Sequence, residues 1–197
     1  MTYRDVTVNG VDAREIVIDN KELAARLASP VESVDKELLE RCIGRLCEAV
    51  NCRYAFAVLP LCIKGDVCLL GDMELASSDL ARCLQKKPCS KALLIAVTLG
   101  DGADRLLARM ALKGTAEHFI TDACASAMAE GLFKKAVADL LGKEHCPPFS
   151  PGYGNLSLGV QKDVLSRLNG SSFGITLDDS LLMHPLKSIT AIVGICD

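Results

Sequence analysis

The sequence has no Lys/Arg run, and its 22 basic residues are outnumbered by 25 acidic ones, for a net charge of −3. That balance argues against nucleic acid as the main partner. No apolar run approaches the ~20 residues needed to span a bilayer. Met1–Asp5 lack the apolar segment of a secretory signal. A cytoplasmic protein with no membrane partner is therefore expected. Internal repeats and low-complexity tracts are also missing. With 197 residues, 50% of them hydrophobic and 24% charged, the chain is long enough for one well-buried domain over 1–197.

The C-x-x-C spacing of zinc and redox sites is missing too, although cysteine is abundant. Ten are present, at positions 42, 47, 52, 62, 68, 83, 89, 124, 146 and 196. Cys42, Cys47 and Cys52 are five apart, a spacing that drifts round a helix instead of converging. Without a secretory signal, disulfides are not expected. The cysteines read as buried thiols acting as small hydrophobes. The alternative is a metal or Fe–S site that spacing does not locate, and no residue is assigned to a metal. A nucleophile–base set is absent, because His118, His145 and His184 read as ordinary surface or loop residues.

What is present in concentration is proline and glycine around one tyrosine. Pro147-Pro148-Phe149-Ser150-Pro151-Gly152-Tyr153-Gly154 cannot be the middle of a helix. The prolines fix φ and remove N–H donors, whereas Gly152 and Gly154 can take positive φ. A stiff, extended loop is expected, with carbonyls and a few amides facing outward and the Tyr153 ring as a wall for a small polar molecule. The same composition also fits a plain linker between helices.

The rest of the chain supplies the frame. Tyr3–Val8 alternates weakly and stops at a turn signal, Asn9-Gly10. Val11–Ile18 is a short helix or a strand. Lys21–Leu27 reads as a short helix. From a cap at Asp35, Leu38, Leu39, Cys42, Ile43, Leu46 and Val50 recur at helical spacing. Cys52–Pro60 alternates as a strand, and the segments flanking Lys64-Gly65-Asp66 suggest a hairpin. Ser77 or Ser78 caps a helix to about Leu84.

Ala92–Leu99 reads as a central strand buried on both faces. It runs into Gly100-Asp101-Gly102 and a helix to about Leu112. That junction could hold a ligand at a helix N-terminus. It lacks the Gly-Lys-Ser/Thr of a phosphate loop, however, and Asp101 and Asp104 suit a cation or an ammonium better. Thr115–Lys143 is the longest helix, and the small residues in its middle would admit another backbone or a ligand. Asp122 and Glu130 lie two turns apart on it, either as a solvated face or with one carboxylate lining a cavity. Ser157 caps a further helix closed by Asn169-Gly170. Phe173–Leu177 and Ser188–Cys196 read as strands. Together these elements give an α+β fold, with a mixed or antiparallel sheet and helices mainly on one side.

With these pieces in place, the C-terminal third resembles a known family. Phe149-Ser-Pro-Gly-Tyr-Gly154, Leu158, Gln161, Phe173-Gly-Ile-Thr-Leu177, Ser180-Leu-Leu-Met183, Pro185 and Lys187-Ser188 resemble the activation domain of cobalamin-dependent methionine synthase. The likeness is to its small free-standing versions. Thr98-Leu99-Gly100 and Asp122-Ala123 with Glu130 are similar in order and spacing. The match covers roughly 90–195, and the first 90 residues follow only the general pattern.

The resemblance implies a curved, mainly antiparallel α+β domain whose 91–197 part binds S-adenosylmethionine. It further implies an accessory role in the reductive remethylation of cob(II)alamin on a separate methionine synthase or related corrinoid protein. The electron would come from a flavodoxin-like protein or a ferredoxin. Cobalamin enters only through that partner, since no Asp-x-His-x-x-Gly segment is present. The chain would supply placement and no nucleophile. Carried over, the S-adenosylmethionine-binding residues are Pro148, Ser150, Pro151, Gly152, Tyr153 and Gly154, with Glu130 suited to a sulfonium or ammonium charge.

Where the family has an arginine, this chain has Pro148. A charge-assisted contact of about 1.5–3 kcal/mol to the ligand carboxylate goes with it, leaving Lys143 or His145 as candidate replacements. A scaffold of the same fold that no longer binds the methyl donor is the alternative.

Overall fold

The computed structural model describes residues 6–112 and 114–197. The sheet is built around β2 (Cys52–Lys64), a long strand paired on one edge from Arg53 to Pro60 and on the other edge in two pieces. β5 (Lys91–Thr98) takes the first edge, with Arg53 opposite Thr98 and Pro60 opposite Lys91. On the other edge, β1 (Thr7–Val11) pairs with Cys52–Phe56, and β3 (Val67–Leu70) pairs with Leu61–Lys64. Pro60 falls between these two pairings, where its missing N–H leaves no ladder bond unmade. β4 (Met73–Ala76) extends the sheet beyond β3, and β8 (Ser188–Ile195) closes it beyond β5. All pairings are antiparallel, and the sheet is curved.

β5 is the central strand that its apolar, β-branched run predicts. Leu93, Ile95 and Val97 face one core while Ala92, Leu94 and Ala96 face the other. A strand walled in on both sides has no polar face to show, which is why its sequence does not alternate. One face carries the three longest helices, α2 (Lys36–Ala49), α4 (Asp101–Ala111) and α5 (Thr115–Leu141), together with α1 (Asn20–Leu27). The opposite face carries only the short α3 (Ser78–Leu84), α6 (Val160–Arg167) and α7 (Gly170–Phe173). The α+β reading with helices mostly on one side therefore stands.

Three α-helix starts follow side-chain capping chemistry, whereas α6 begins after Gly159 and not at the expected cap Ser157. Asp19, Asp35 and Ser77 each accept hydrogen bonds from first-turn amides of α1, α2 and α3. The small-residue stretch of α5 is buried, and at Gly131 a Cβ would lie 2.3 Å from the Val17 carbonyl. Of the two possibilities for that stretch, a passing backbone is what occupies Gly131.

Several local expectations change. Asn9-Gly10 is not a turn but lies within β1, held by pairing to Tyr54 and Arg53. Tyr3–Asp5, the start of that expected strand, lies outside the described residues. Val11–Ile18 ends β1 and adds a 3-10 turn at Ala13–Glu15. Phe173–Leu177 is not one strand: α7 ends at Phe173, Gly174 turns the chain at φ 92°, and only Thr176–Leu177 is extended (β6). β6 pairs with β7 (Met183–His184) in a separate two-stranded ribbon.

Candidate functional site

The proline–glycine ribbon leaves α5 at Gly142 and runs along β8. Phe149 N–H donates to the Ile192 carbonyl and Ile192 N–H donates back, each at 2.9 Å. This bridge makes the first half of the ribbon an extra edge of the sheet. The second half is not extended as expected. Tyr153 N–H donates to the Ser150 carbonyl at 3.0 Å, and Gly152 N–H to the Leu156 carbonyl at 3.0 Å. The ribbon thus closes on itself in consecutive turns. The amides of Gly152 and Tyr153 are engaged internally, so their contribution to a ligand is limited to carbonyls and the tyrosine side chain.

A polar clamp ties the ribbon to the start of α3. Asn155 Oδ1 accepts from Ser77 Oγ at 2.6 Å and from Asp79 N–H at 3.2 Å. Asn155 N–H donates to Asp79 Oδ2 at 2.9 Å. A Cβ at Gly154 would lie 2.4 Å from Asp79 Oδ2, so the approach itself demands glycine. The Asn155–Asp79 contact joins residues 76 positions apart, and nothing in the local sequence announces it.

Between the ribbon and α5 lies a cavity of about 440 Å³, within the range of small-molecule sites. Glu130, Phe133, Lys134, Val137 and Ala138 of α5 form one wall. His145, Pro148, Ser150 and Tyr153 form the other, with Ile189 of β8 contributing from the sheet. Of the sequence-derived candidates, Glu130, Pro148, Ser150 and Tyr153 therefore meet in one space. Gly152 and Gly154 line a wider, open groove on the α3 side of the ribbon, to which Pro148 and Tyr153 also contribute. Pro151 is buried in the turn.

The Tyr153 side chain is 59% exposed and packs edge-on to Phe149, with ring centroids 6.1 Å apart. Part of the ring is thus supported by Phe149 and the rest is available. Charges of opposite sign sit one helical turn apart on the α5 wall. Glu130 pairs loosely with Arg26 of α1 at 3.6 Å. Lys134 reaches Asp19 and Glu22, both at 3.7 Å. Exposed pairs of this length contribute only about 0–1 kcal/mol, so both groups can turn to a ligand at small cost. Lys143 is exposed and does not line the cavity, whereas His145 does. His145 Nδ1 lies 2.8 Å from the Cys146 carbonyl, which fixes the ring.

Lys134, Phe133, Val137 and Ala138 were not among the candidates. A signal for three of them was available, because Lys134, Val137 and Ala138 follow Glu130 by four, seven and eight positions, the repeat of one helix face. Asp122 belongs elsewhere: its Oδ1 accepts from Lys187 Nζ at 2.7 Å, and the same ammonium donates to Ser126 Oγ.

The candidate junction at Gly100–Gly102 and a polar cluster around Asp178 are both structural. At the Gly100-Asp101-Gly102 junction, a Cβ on Gly102 would lie 1.7 Å from the Ala49 carbonyl, and Asp104 Oδ2 accepts from Leu186 N–H at 2.8 Å. In the β6–β7 ribbon, Ser180, Asp178 and His184 are in contact, but the carboxylate sits between hydroxyl and imidazole. No base touches the serine, so the order is wrong for a nucleophile. Instead, hydrogen bonds from Ser180 Oγ, then His184, then Leu182 N–H hold the Asp178 carboxyl well below the usual carboxylate range.

No family model matches the chain, and no curated protein does. Among solved structures, the chain is similar to the MetH reactivation domain bound to AdoHcy, with a TM-score of 0.74 and 13% sequence identity. The similarity covers 96% of this chain and 78% of that one. The long antiparallel sheet, the helices stacked on one face and the ribbon bridged to β8 therefore form the fold of the MetH reactivation domain.

Proposed function

We propose that the cavity between α5 and the ribbon binds S-adenosylmethionine, and that the chain presents this methyl donor to a cobalamin-bearing partner. The observation that carries this reading is the convergence of Tyr153, Glu130 and Lys134 on one apolar space. A sulfonium with an amino-acid tail and a flat ring needs an aromatic or anionic neighbour for its cation, a cation for its carboxylate, and apolar walls. Tyr153 and Glu130 meet the first need and Lys134 the second, replacing the arginine absent at Pro148. Phe133, Val137 and Pro148 meet the third. The AdoHcy in the MetH reactivation domain supports the same ligand class here.

Transfer of a methyl group from a sulfonium to a reduced cobalt needs alignment, not a protein base, because the departing thioether is neutral. The side chains of this site accordingly bind and orient. Ser150 and the Tyr153 ring set the depth of the ligand, and the charged pair on α5 sets its direction. The cobalt belongs to a separate corrinoid protein such as methionine synthase, reduced by a flavodoxin-like or ferredoxin donor in the cytoplasm. Among the described residues, no helix is long and apolar enough to cross a membrane.

Calorimetric titration with S-adenosylmethionine is the test. Saturable binding that Glu130→Gln and Lys134→Met each weaken by about tenfold, or about 1.4 kcal/mol, is expected. No heat at millimolar ligand refutes the methyl-donor role and leaves a docking scaffold of the same fold.

A further inference from the structure

Three cysteines far apart in sequence converge at the root of the ribbon. Cys89 lies in the loop entering β5, Cys146 immediately precedes Pro147, and Cys196 follows β8. Their sulfurs all lie within 4.8 Å of one another, with Cys89 and Cys146 3.5 Å apart. The backbone holds all three segments in place independently of the thiols. Cys146 N–H donates to the Gly194 carbonyl at 2.9 Å, Cys196 N–H to the Glu144 carbonyl at 3.3 Å, and Asp197 N–H to the Pro88 carbonyl at 3.1 Å.

Space for the sulfurs is kept by a glycine. A Cβ on Gly194 would stand 3.1 Å from Cys89 Sγ and 3.2 Å from Cys146 Sγ. Any side chain there would push into the two closest sulfurs. Cys146 is fully buried, whereas Cys89 and Cys196 are half-buried, so the group opens to solvent on one side. Among the described residues, no other three metal-ligating side chains converge this closely.

We propose that Cys89, Cys146 and Cys196 form a binding site for a thiophilic divalent cation of the Zn²⁺ type. Three thiolates around Zn²⁺ at about 2.3 Å stand roughly 3.8 Å apart, so the sulfurs need to close by no more than about 1 Å. Soft thiolate ligands select such cations over Mg²⁺ or Ca²⁺. Each thiol gives up its proton as its sulfur–metal bond forms, and the fourth position, on the solvent side, is filled by water. A disulfide would use two of the sulfurs and leave the third without purpose. The cation ties the β5 entry, the ribbon root and the C-terminal end of β8 together, and so fixes the segment from which the ribbon springs.

The test uses the full chain, purified under reducing conditions, stripped with chelator and titrated with Zn²⁺ alone. One equivalent per chain and a rise in the thermal midpoint are expected. Co²⁺ in place of Zn²⁺ should give thiolate-to-metal charge-transfer absorption. Cys196→Ser removes a half-buried ligand, and Gly194→Ala keeps every ligand but crowds two of them. Each should weaken Zn²⁺ at least about tenfold, whereas Cys62→Ser on the exposed face of β2 should not. The proposal fails if wild type holds no stoichiometric Zn²⁺, or if Cys196→Ser and Gly194→Ala both bind it as wild type does. It fails equally if protein isolated without reductant carries a Cys89–Cys146 disulfide that forms regardless of Zn²⁺.

Discussion

Two glycine-rich turns stand out in this chain, and they come to opposite uses. At Gly100-Asp101-Gly102 the turn is sealed by the protein's own backbone, with Ala49 filling the place a side chain would take. At Ser150–Gly154 the turn is tied down on the α3 side by Asn155 but leaves a cavity on the α5 side. Glycine marks a close approach in both places. Only the surrounding elements determine whether the approaching group is the chain itself or a ligand.

The contrast is broken most severely by adding one carbon at the sealed turn. Gly102→Ala gains roughly 1 kcal/mol of helix propensity, yet its Cβ meets the Ala49 carbonyl at 1.7 Å. The clash wins, and a net loss of about 3 kcal/mol or more is expected in denaturant unfolding. Next, Asn155→Ala removes the clamp and leaves the proton of the buried Ser77 hydroxyl without its acceptor. About 1–3 kcal/mol of stability should be lost, together with ligand affinity as the ribbon loosens. Tyr153→Ala sharpens the comparison from the open side. Its exposed ring should cost no more than about 0.5 kcal/mol on unfolding, while affinity for S-adenosylmethionine falls at least about tenfold.

The smallest effect concerns Asp178, which belongs to neither turn. Its carboxyl is held below its ordinary value in the fold. Its contribution is therefore present above the ordinary carboxylate range and is lost only as pH falls through the lowered value. The amide signals of Ser180 and Leu182 should hold their positions down to about pH 4 and move only below it. Movement centred on an ordinary aspartate value would show that the hydrogen bonds do not form.

Legibility in the sequence followed the range of the interactions. α2 was readable because its period and the Asp35 cap are local, and β5 because a doubly buried strand writes itself as an apolar run. β4 was missed because Met73–Ala76 gives only four residues of alternation. α7 was missed, and the expected strand began too early at Phe173, because the turn at Gly174 lies inside an apolar stretch. In the site, Glu130 and the ribbon were visible, whereas Lys134 was missed although the helix repeat from Glu130 points to it. His145 was named only as one of two stand-ins for the missing arginine, and Ile189 and the Asn155–Asp79 clamp were not visible, since each depends on how β8 and the ribbon register against each other. The convergence of Cys89, Cys146 and Cys196 was hidden for the same reason.

The central claim is that the open turn, and not the sealed one, receives the ligand. Backbone amide shifts recorded while S-adenosylmethionine is added test it residue by residue. Glu130, Lys134, Ser150 and Tyr153 should move in a saturable way while Asp101, Gly102 and Ala103 stay fixed. Saturable movement centred on Gly100–Ala103, with Ser150 and Tyr153 unchanged, would contradict the account.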